Sequence, residues 1–258
     1  MNLSNSVNID DIEAEVTLDA GFEEVDDLGT ASLDQVSFPN GRIAEDDRFR
    51  CAEITHDTVT KTIIIDFGDG CPGRGDRIRR GRIIVDYTDR RFVPGSEIVI
   101  TLEDFYIDSV HLEGIRRITN LSVDLDDNPT FSVVLSGGQA TWPDGTFATR
   151  EVDLIRTWIR ASNPLEDEFH LDGVTSGLNR DGVSYSTQIL STLIRKNACL
   201  DQRIFIPVQG IKEITRGDRV WVVDFGDGIC DREVTVTSDG VVETVDLEAR
   251  GRHKRQNG

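Results

Sequence analysis

The chain has 258 residues, enough for one large β domain or two small ones with a real hydrophobic core. Its 47 acidic and 28 basic residues give a net charge of −19. This charge argues against nucleic acid and anionic membranes as primary partners, because both reward basic surfaces. Abundant Gly and recurring short runs of Val, Ile and Thr are typical of β proteins.

The N-terminal segment, residues 1–45, is strongly acidic. It holds eleven Asp and Glu residues and a single basic residue, Arg42. Its scattered apolar positions fall partly at helical spacing, so we expect an acidic flexible segment that is disordered or weakly helical, with disorder favoured by the high charge and few aromatics. A β domain is expected over 46–250, followed by a basic tail at 251–258, and both ends read as solvated.

Apolar alternation starts near Asp46 and is punctuated by Gly, Asn-Pro and Asp-Gly turns. No stretch of helical period separates the apolar runs, whereas a parallel sheet requires such crossovers. The predicted fold is therefore all-β, a long antiparallel meander that forms a curved sheet, a half-barrel or a sandwich. The predicted strands cover roughly 58–66, 79–88, 96–108, 110–119, 130–136, 139–143, 147–160, 168–176, 182–195, 203–215, 218–226, 232–238 and 241–248.

Two short patterns predict local backbone features. A glycine recurs inside three strand-like runs, at Gly114, Gly173 and Gly210, and predicts a bulge or bend at each. The run at 135–139 spells LSGGQ, the signature of ABC-transporter ATPases, but the chain contains no phosphate loop. Because it lies between two strand-like runs, we predict a hairpin turn there.

One phrase occurs twice in the chain. Residues 66–71 read DFGDGC and residues 224–230 read DFGDGIC, each after an apolar run. Each phrase is expected to be a strand that runs into a Gly-Asp turn.

The four cysteines belong to these two units. Because each pair would bracket one strand unit and its turn, we predict the disulfides Cys51–Cys71 and Cys199–Cys230. Zinc is the alternative, although the gaps of 20, 128 and 31 residues lack the tight C-x2–4-C pairs of structural zinc sites.

The aspartates of the two phrases are weak calcium candidates. Carboxylate and carbonyl oxygens on glycine-rich turns favour calcium, but an aspartate in a turn more often binds its own backbone N–H groups. The candidates are Asp66, Asp69, Asp224 and Asp227, and no other cofactor is predicted.

Several further motifs accompany the DFGDG-C phrases between Cys51 and about Leu247. They are RRGRIIVDYT at 79–88, FYID at 105–108, EG at 113–114 with TN at 119–120, WPDG at 142–145 and LIRKNAC at 193–199. Through these motifs the stretch resembles a group of uncharacterised cell-envelope proteins and lipoproteins from Bacteroidota. The resemblance implies export, β structure and disulfides, and it implies no particular activity.

The expected location is extracytoplasmic: periplasm, outer membrane or cell surface. No signal peptide is visible at the N-terminus, and no run approaches the roughly 18 apolar residues of a membrane helix. Paired cysteines nevertheless favour an oxidising compartment. A leader that lies upstream or was removed would reconcile these observations and leaves a lipid anchor open, whereas the alternative is free thiols in the cytosol.

The leading function hypothesis is a non-enzymatic cell-envelope protein that binds a protein, glycan or apolar ligand, or plays a structural role. No catalytic residue is predicted. One alternative is a glycan-active hydrolase with a carboxylate pair beside an exposed Trp, drawn from Trp142, Trp158 and Trp221, although core placement of these rings is favoured. The other is a carrier of an apolar ligand inside a half-barrel, which needs an apolar cavity of a few hundred Å³.

Overall fold

A computed structural model describes residues 9–37, 47–73, 77–124, 128–202 and 204–247. Within these ranges the chain forms one α-helix, α1 (Ile9–Ser37), and fourteen strands. The strands are β1 (Glu53–Asp57), β2 (Thr62–Asp66), β3 (Cys71–Pro72), β4 (Ile78–Tyr87), β5 (Glu97–Ile107), β6 (Val110–Asn120), β7 (Thr130–Thr141), β8 (Phe147–Ile159), β9 (Glu168–Leu178), β10 (Ser184–Lys196), β11 (Gln209–Arg216), β12 (Arg219–Asp227), β13 (Glu233–Ser238) and β14 (Val241–Asp246).

The strands form a single open antiparallel sheet in which neighbours in the chain are neighbours in the sheet. The order runs from β1 to β14, with the short β3 pairing beside β4 off the main path. This confirms the predicted all-β meander. Strands β1 and β14 are the two edges of the described sheet, so the sheet does not close on itself.

The three recurrent glycines lie at irregularities of the strand ladder, as predicted. Gly114, Gly173 and Gly210 have φ values of 135°, 136° and 105°, a region that favours glycine. The pairing register shifts beside each of them. At Gly173 a Cβ atom would lie 2.2 Å from the carbonyl oxygen of Asp153, so the backbones approach too closely for any side chain.

Three boundary predictions are wrong. The LSGGQ run is not a hairpin turn but lies inside β7, where the register with β8 shifts between Leu135 and Gly138 while pairing continues on both sides. The predicted strand 58–66 is instead the turn and second strand of a hairpin, because Asp57 accepts hydrogen bonds from the N–H groups of Val59 and Thr60 and reverses the chain. The predicted strand 203–215 begins only at Gln209.

The acidic segment was expected to be either disordered or weakly helical. Residues 9–37 form helix α1, so the expectation of disorder is wrong for these residues. Between residues 18 and 36 Asp27 is the single exposed position, so this helix is a core element and not a solvated tail. Its side chains Leu18, Phe22, Val25 and Leu28 recur at helical spacing and are buried against β2 and β4–β8.

The sheet curves around α1. Glu23 pairs with Arg195 of β10, and its neighbour Glu24 pairs with Arg79 of β4. Six strand steps separate β4 from β10, which corresponds to about 29 Å along the sheet at the usual strand spacing of about 4.8 Å. Because two adjacent helix residues reach both strands, the sheet must wrap around the helix, and α1 lies on its concave face.

The C-terminal half of the concave face has a different cover. Lys212 faces α1, and its cross-strand partner Val223 lies opposite Val236, so these side chains share that face. Over them pack Ile204 and Ile206 from the segment before β11. The N-terminal half of the sheet is therefore covered by α1 and the C-terminal half by a loop.

Both predicted disulfides are present. Cys51 pairs with Cys71 and Cys199 with Cys230, with Cα–Cα separations of 5.6 and 5.2 Å that suit the bond. Cys51 follows a short 3-10 segment (Asp47–Phe49) and is bonded to the first residue of β3, whereas Cys199 lies in a 3-10 segment (Asn197–Gln202) and is bonded to Cys230 just after the second phrase. The two disulfides indicate an oxidising, extracytoplasmic environment. No helix among the described residues combines the length and apolarity needed to span a membrane.

We predict that Gly173→Ala lowers the free energy of unfolding by about 2–4 kcal/mol, because the new Cβ displaces the backbone of β8. Gly145→Ala is the matched control, since Gly145 also has a positive φ, 82°, but open space around it. The control is expected to cost about 1–2 kcal/mol from backbone strain alone. Urea unfolding measures both, and an equal loss in the two variants would contradict the close approach.

Candidate functional site

The concave face of the sheet carries a row of basic side chains that point at α1. We call this surface the basic trough, and its members lie on strands β4, β6, β8, β10 and β11. They are Arg79, Arg116, Arg150, Arg156, Arg195 and Lys212. Acidic residues of α1 pair with each of them, so a charged interface lies where a β protein ordinarily has an apolar core.

The centre of the interface is Asp26, which is fully buried. Arg116 holds its carboxylate in a two-point contact, with Nε to Oδ1 at 2.6 Å and Nη2 to Oδ2 at 2.7 Å. Arg156 adds a third hydrogen bond of 2.6 Å to Oδ2. This arrangement uses the planar fork of arginine, which matches a carboxylate better than lysine does.

Two more acidic residues lie one and two turns before Asp26 on the same face of the helix. The Asp19 carboxylate bridges Arg150 and Lys212, with Lys212 Nζ at 3.0 Å. Glu23 pairs with Arg195. Asp19, Glu23 and Asp26 follow the i, i+4, i+7 spacing of one helix stripe, which lies beside the apolar stripe.

The opposite side and the end of the helix are held in the same way. Glu24 contacts Arg79 and Arg77 at 2.6 Å each. Asp34, in the last turns, contacts Arg91 from the β4–β5 connection at 2.6 Å. The helix is thus clamped by charge on both flanks and near its C-terminal end.

The pKa values of the helix carboxyls differ because burial and pairing act in opposite directions. Burial alone would raise the pKa of Asp26, but Arg116 and Arg156 outweigh it and lower that pKa below its usual value. The same balance with Arg150 and Lys212 lowers the pKa of Asp19. For Glu23, burial dominates over the pairing with Arg195 and raises the pKa.

A cleft opens where the two covers of the concave face meet. It lies between α1 and the loop around Phe205, and its volume is about 40 Å³. Asp19, Arg150 and Lys212 stand at its polar part. Most of its remaining lining is apolar: Leu154, Leu171, Ile189, Leu193, Phe205, Ile206, Pro207 and Phe225.

The first DFGDG phrase uses its leading aspartate in turn chemistry. Asp66 Oδ1 accepts from the N–H of Gly68 at 2.8 Å, and Oδ2 accepts from Arg82 Nε at 2.7 Å. The hydrogen bond from Arg82, followed by the one from the Gly68 N–H, lowers the pKa of Asp66. The Arg82 guanidinium thus occupies the side where a cation would bind, and Asp69 is exposed.

The second phrase forms the same local hydrogen bond, but its first four residues lie inside β12 and not in a separate turn, so the predicted Gly-Asp turn is wrong there. Asp224 Oδ1 accepts from the N–H of Gly226 at 2.9 Å, and Asp227 Oδ1 accepts from Ile229 at 3.3 Å. Both aspartates line an open hollow of about 480 Å³. Within the described part of the chain, no three Asp, Glu, His or Cys side chains converge as metal ligands. Calcium binding stays a prediction that isothermal titration would test.

The three tryptophans pack against other side chains. Trp221 is buried, and Trp158 lies between Phe92 and Phe169 while its Nε1 donates to Asp167 at 2.8 Å. Trp142 is half-buried under the Arg180 guanidinium, 4.4 Å from the ring centroid. Core placement of these rings was the favoured prediction. The cleft beside α1 has no tryptophan in its described lining.

Sequence reasoning did not identify the basic trough. A signal was present, because the neighbours two residues away along the strand are Gly114 and Ile118 for Arg116, and Ala148 and Val152 for Arg150, so both arginines alternate with glycine or apolar residues. The acids at 19, 23 and 26 also follow a helical period. Without knowing that α1 crosses the same sheet, neither pattern predicts its partner.

No protein-family model, curated protein or solved structure matches this chain. The resemblance to Bacteroidota envelope proteins therefore stays an expectation.

We predict that Asp26→Asn lowers the free energy of unfolding by about 3–5 kcal/mol at neutral pH, because it leaves buried arginines without their counter-charge. Glu103→Gln is the matched control, since Glu103 pairs with Arg82 at an exposed site where the side chains are 52% and 50% accessible. The control is expected to change stability by less than about 1 kcal/mol. Urea unfolding compares the two.

The same variant has a predicted pH dependence. The folded pKa of Asp26 lies below its unfolded value of about 3.8, so its stabilisation is present above that value and is lost as pH falls through the folded pKa. The difference between wild type and Asp26→Asn should therefore shrink between roughly pH 5 and pH 1. A difference that stays constant over this range would contradict the assignment of a buried, charged Asp26.

Proposed function

We propose that the protein is a non-enzymatic binding protein of the cell envelope. The basic trough is its binding surface, and α1 is the resident occupant of that surface. The single observation that carries this proposal is the pairing of four acidic residues of α1 with basic side chains of the concave face.

The chemistry of this interface favours recognition over simple stabilisation. Buried ion pairs contribute little stability compared with apolar residues of the same volume, whereas a mismatched charge at such a site is costly. Arginine is also enriched in protein–protein interfaces. A surface with buried Arg79, Arg116 and Arg150 therefore selects a helix by the positions of its carboxylates.

The proposed partner is an envelope protein that presents an acidic helix. Its carboxylates would follow the spacing of Asp19, Glu23 and Asp26 beside an apolar stripe. Such a helix would replace α1 in the basic trough and make the same ion pairs.

The envelope location rests on two supports. The disulfides require an oxidising compartment to form and persist. The resemblance to Bacteroidota envelope proteins points to the same place. Periplasm, outer membrane and cell surface all fit this proposal, and so does a lipid anchor on a form of the protein that carries a leader.

The test is binding of α1 in trans. A fluorescent peptide of residues 9–37 is titrated with the full-length wild type and with full-length Asp26→Asn, and anisotropy is measured. The tethered helix competes at an effective concentration of about millimolar, so the wild type should bind the peptide weakly. Asp26→Asn weakens the tethered helix but leaves the trough intact, so it should bind the peptide at least tenfold more tightly.

Two controls complete this experiment. Full-length Glu103→Gln should behave as the wild type, because its ion pair lies on the exposed surface. A peptide that itself carries Asp26→Asn should lose the tighter binding to full-length Asp26→Asn. The proposal fails if the peptide binds none of these proteins, or all of them equally, while circular dichroism shows an intact sheet.

A further inference from the structure

The cleft at the junction of the two covers has an apolar part and a polar part, as a site for an amphiphile requires. One part is apolar and is formed by side chains of β8, β9 and β10 together with Phe205. The other part is polar and is formed by Arg150 and Lys212, which are only 1% and 4% exposed. Cavities that place a few polar groups in an apolar lining are typical of small-molecule sites.

A carboxylate already occupies the polar part. Asp19 contacts Arg150 and Lys212, and its side chain is 32% accessible, so this carboxylate stands at the mouth of the cleft while both of its cationic partners lie inside. A second contact positions the Arg150 guanidinium, because its Nη1 donates a hydrogen bond to the Tyr185 hydroxyl at 3.2 Å. The cleft therefore brings Arg150 and Lys212 together at the Asp19 carboxylate, which belongs to the occupant α1.

We propose that the cleft binds a long-chain monocarboxylate, a fatty-acid-type amphiphile, when α1 moves out of the trough. Its carboxylate takes the place of Asp19 between Arg150 and Lys212. Its alkyl chain lies along Leu154, Leu171 and Leu193. This inference rests on the proposed function, since both treat α1 as an exchangeable occupant.

Charge and volume both decide the ligand class. One carboxylate replaces one carboxylate, so the charge around the two buried cations is unchanged, whereas a neutral or cationic head group would not replace the charge of Asp19. With α1 seated, the cleft of about 40 Å³ is far below the roughly 300–1,000 Å³ of ordinary ligand sites. The chain can therefore enter only as α1 withdraws, which couples ligand binding to helix release.

The test titrates dodecanoate into the full-length wild type and full-length Asp19→Asn by calorimetry. Asp19→Asn removes the competing charge but keeps the shape of the side chain. We expect dodecanoate to bind Asp19→Asn at least tenfold more tightly than it binds the wild type and to raise the melting temperature of the variant. The double variant Asp19→Asn/Lys212→Met should lose that gain.

Two ligands of equal chain length serve as controls. Dodecanol tests the alkyl chain without the charge, and dodecyltrimethylammonium tests a head group of opposite charge. Both ligands should bind Asp19→Asn at least tenfold more weakly than dodecanoate does. Equal binding of dodecanoate and dodecanol would overturn the role of Arg150 and Lys212. Absence of dodecanoate binding to Asp19→Asn would overturn the site.

A second measurement covers the case in which Asp19→Asn does not fold. In methyl NMR of the wild type, dodecanoate near its solubility limit should shift the Leu171 and Leu193 signals and leave Val245, near the far edge, unchanged. No shift at these leucines would overturn the inference. If the peptide binds in trans but dodecanoate does not bind, the ligand class is wrong and the proposed function stands. If neither binds, both fail.

Discussion

The ion pairs between α1 and the concave face of the sheet determine how the rest of the molecule is arranged. Asp26 lies fully buried between Arg116 and Arg156, and neither arginine would be tolerated at such a site without a carboxylate. The sheet must curve so that strands as distant as β4 and β10 reach one helix. An acidic N-terminal segment and an inward-facing row of basic side chains are therefore two parts of one interface.

The two DFGDG phrases organise the periphery in a corresponding way. In each phrase the phenylalanine, Phe67 or Phe225, is buried in the core, and the leading aspartate closes the turn. The cysteine that follows then fixes a 3-10 segment beside that core. The phrase thus repeats a structural unit, one under each cover, in which Asp66, Asp224 and Asp227 accept hydrogen bonds from nearby backbone N–H groups. The cleft that we propose as a ligand site lies between these units, at the junction of the covers.

The sequence was sufficient for the features that depend on local chemistry. Alternation and Asp-Gly turns predicted the meander, the bracketing of turns predicted both disulfides, and glycine inside strands predicted irregularities at Gly114, Gly173 and Gly210. It failed where a distant surface decides the outcome. The charge of residues 1–45 favours disorder in isolation, and only the basic trough makes α1 a core helix. Likewise, a Gly-Gly pair reads as a turn, but Gly138 continues β7 because β6 and β8 pair on both sides.

Native-state hydrogen–deuterium exchange of the backbone amides of residues 18–36 tests the docking of α1 most directly. We predict protection comparable to that of β5–β7 at neutral pH, and loss of protection in α1 before the sheet as pH falls through the folded pKa of Asp26, which lies below the normal value of an aspartate, since Asp26 then becomes protonated. Exchange of the α1 amides at the rate of an unfolded chain, while the sheet stays protected, would contradict the view that charge pairing holds this helix in the trough.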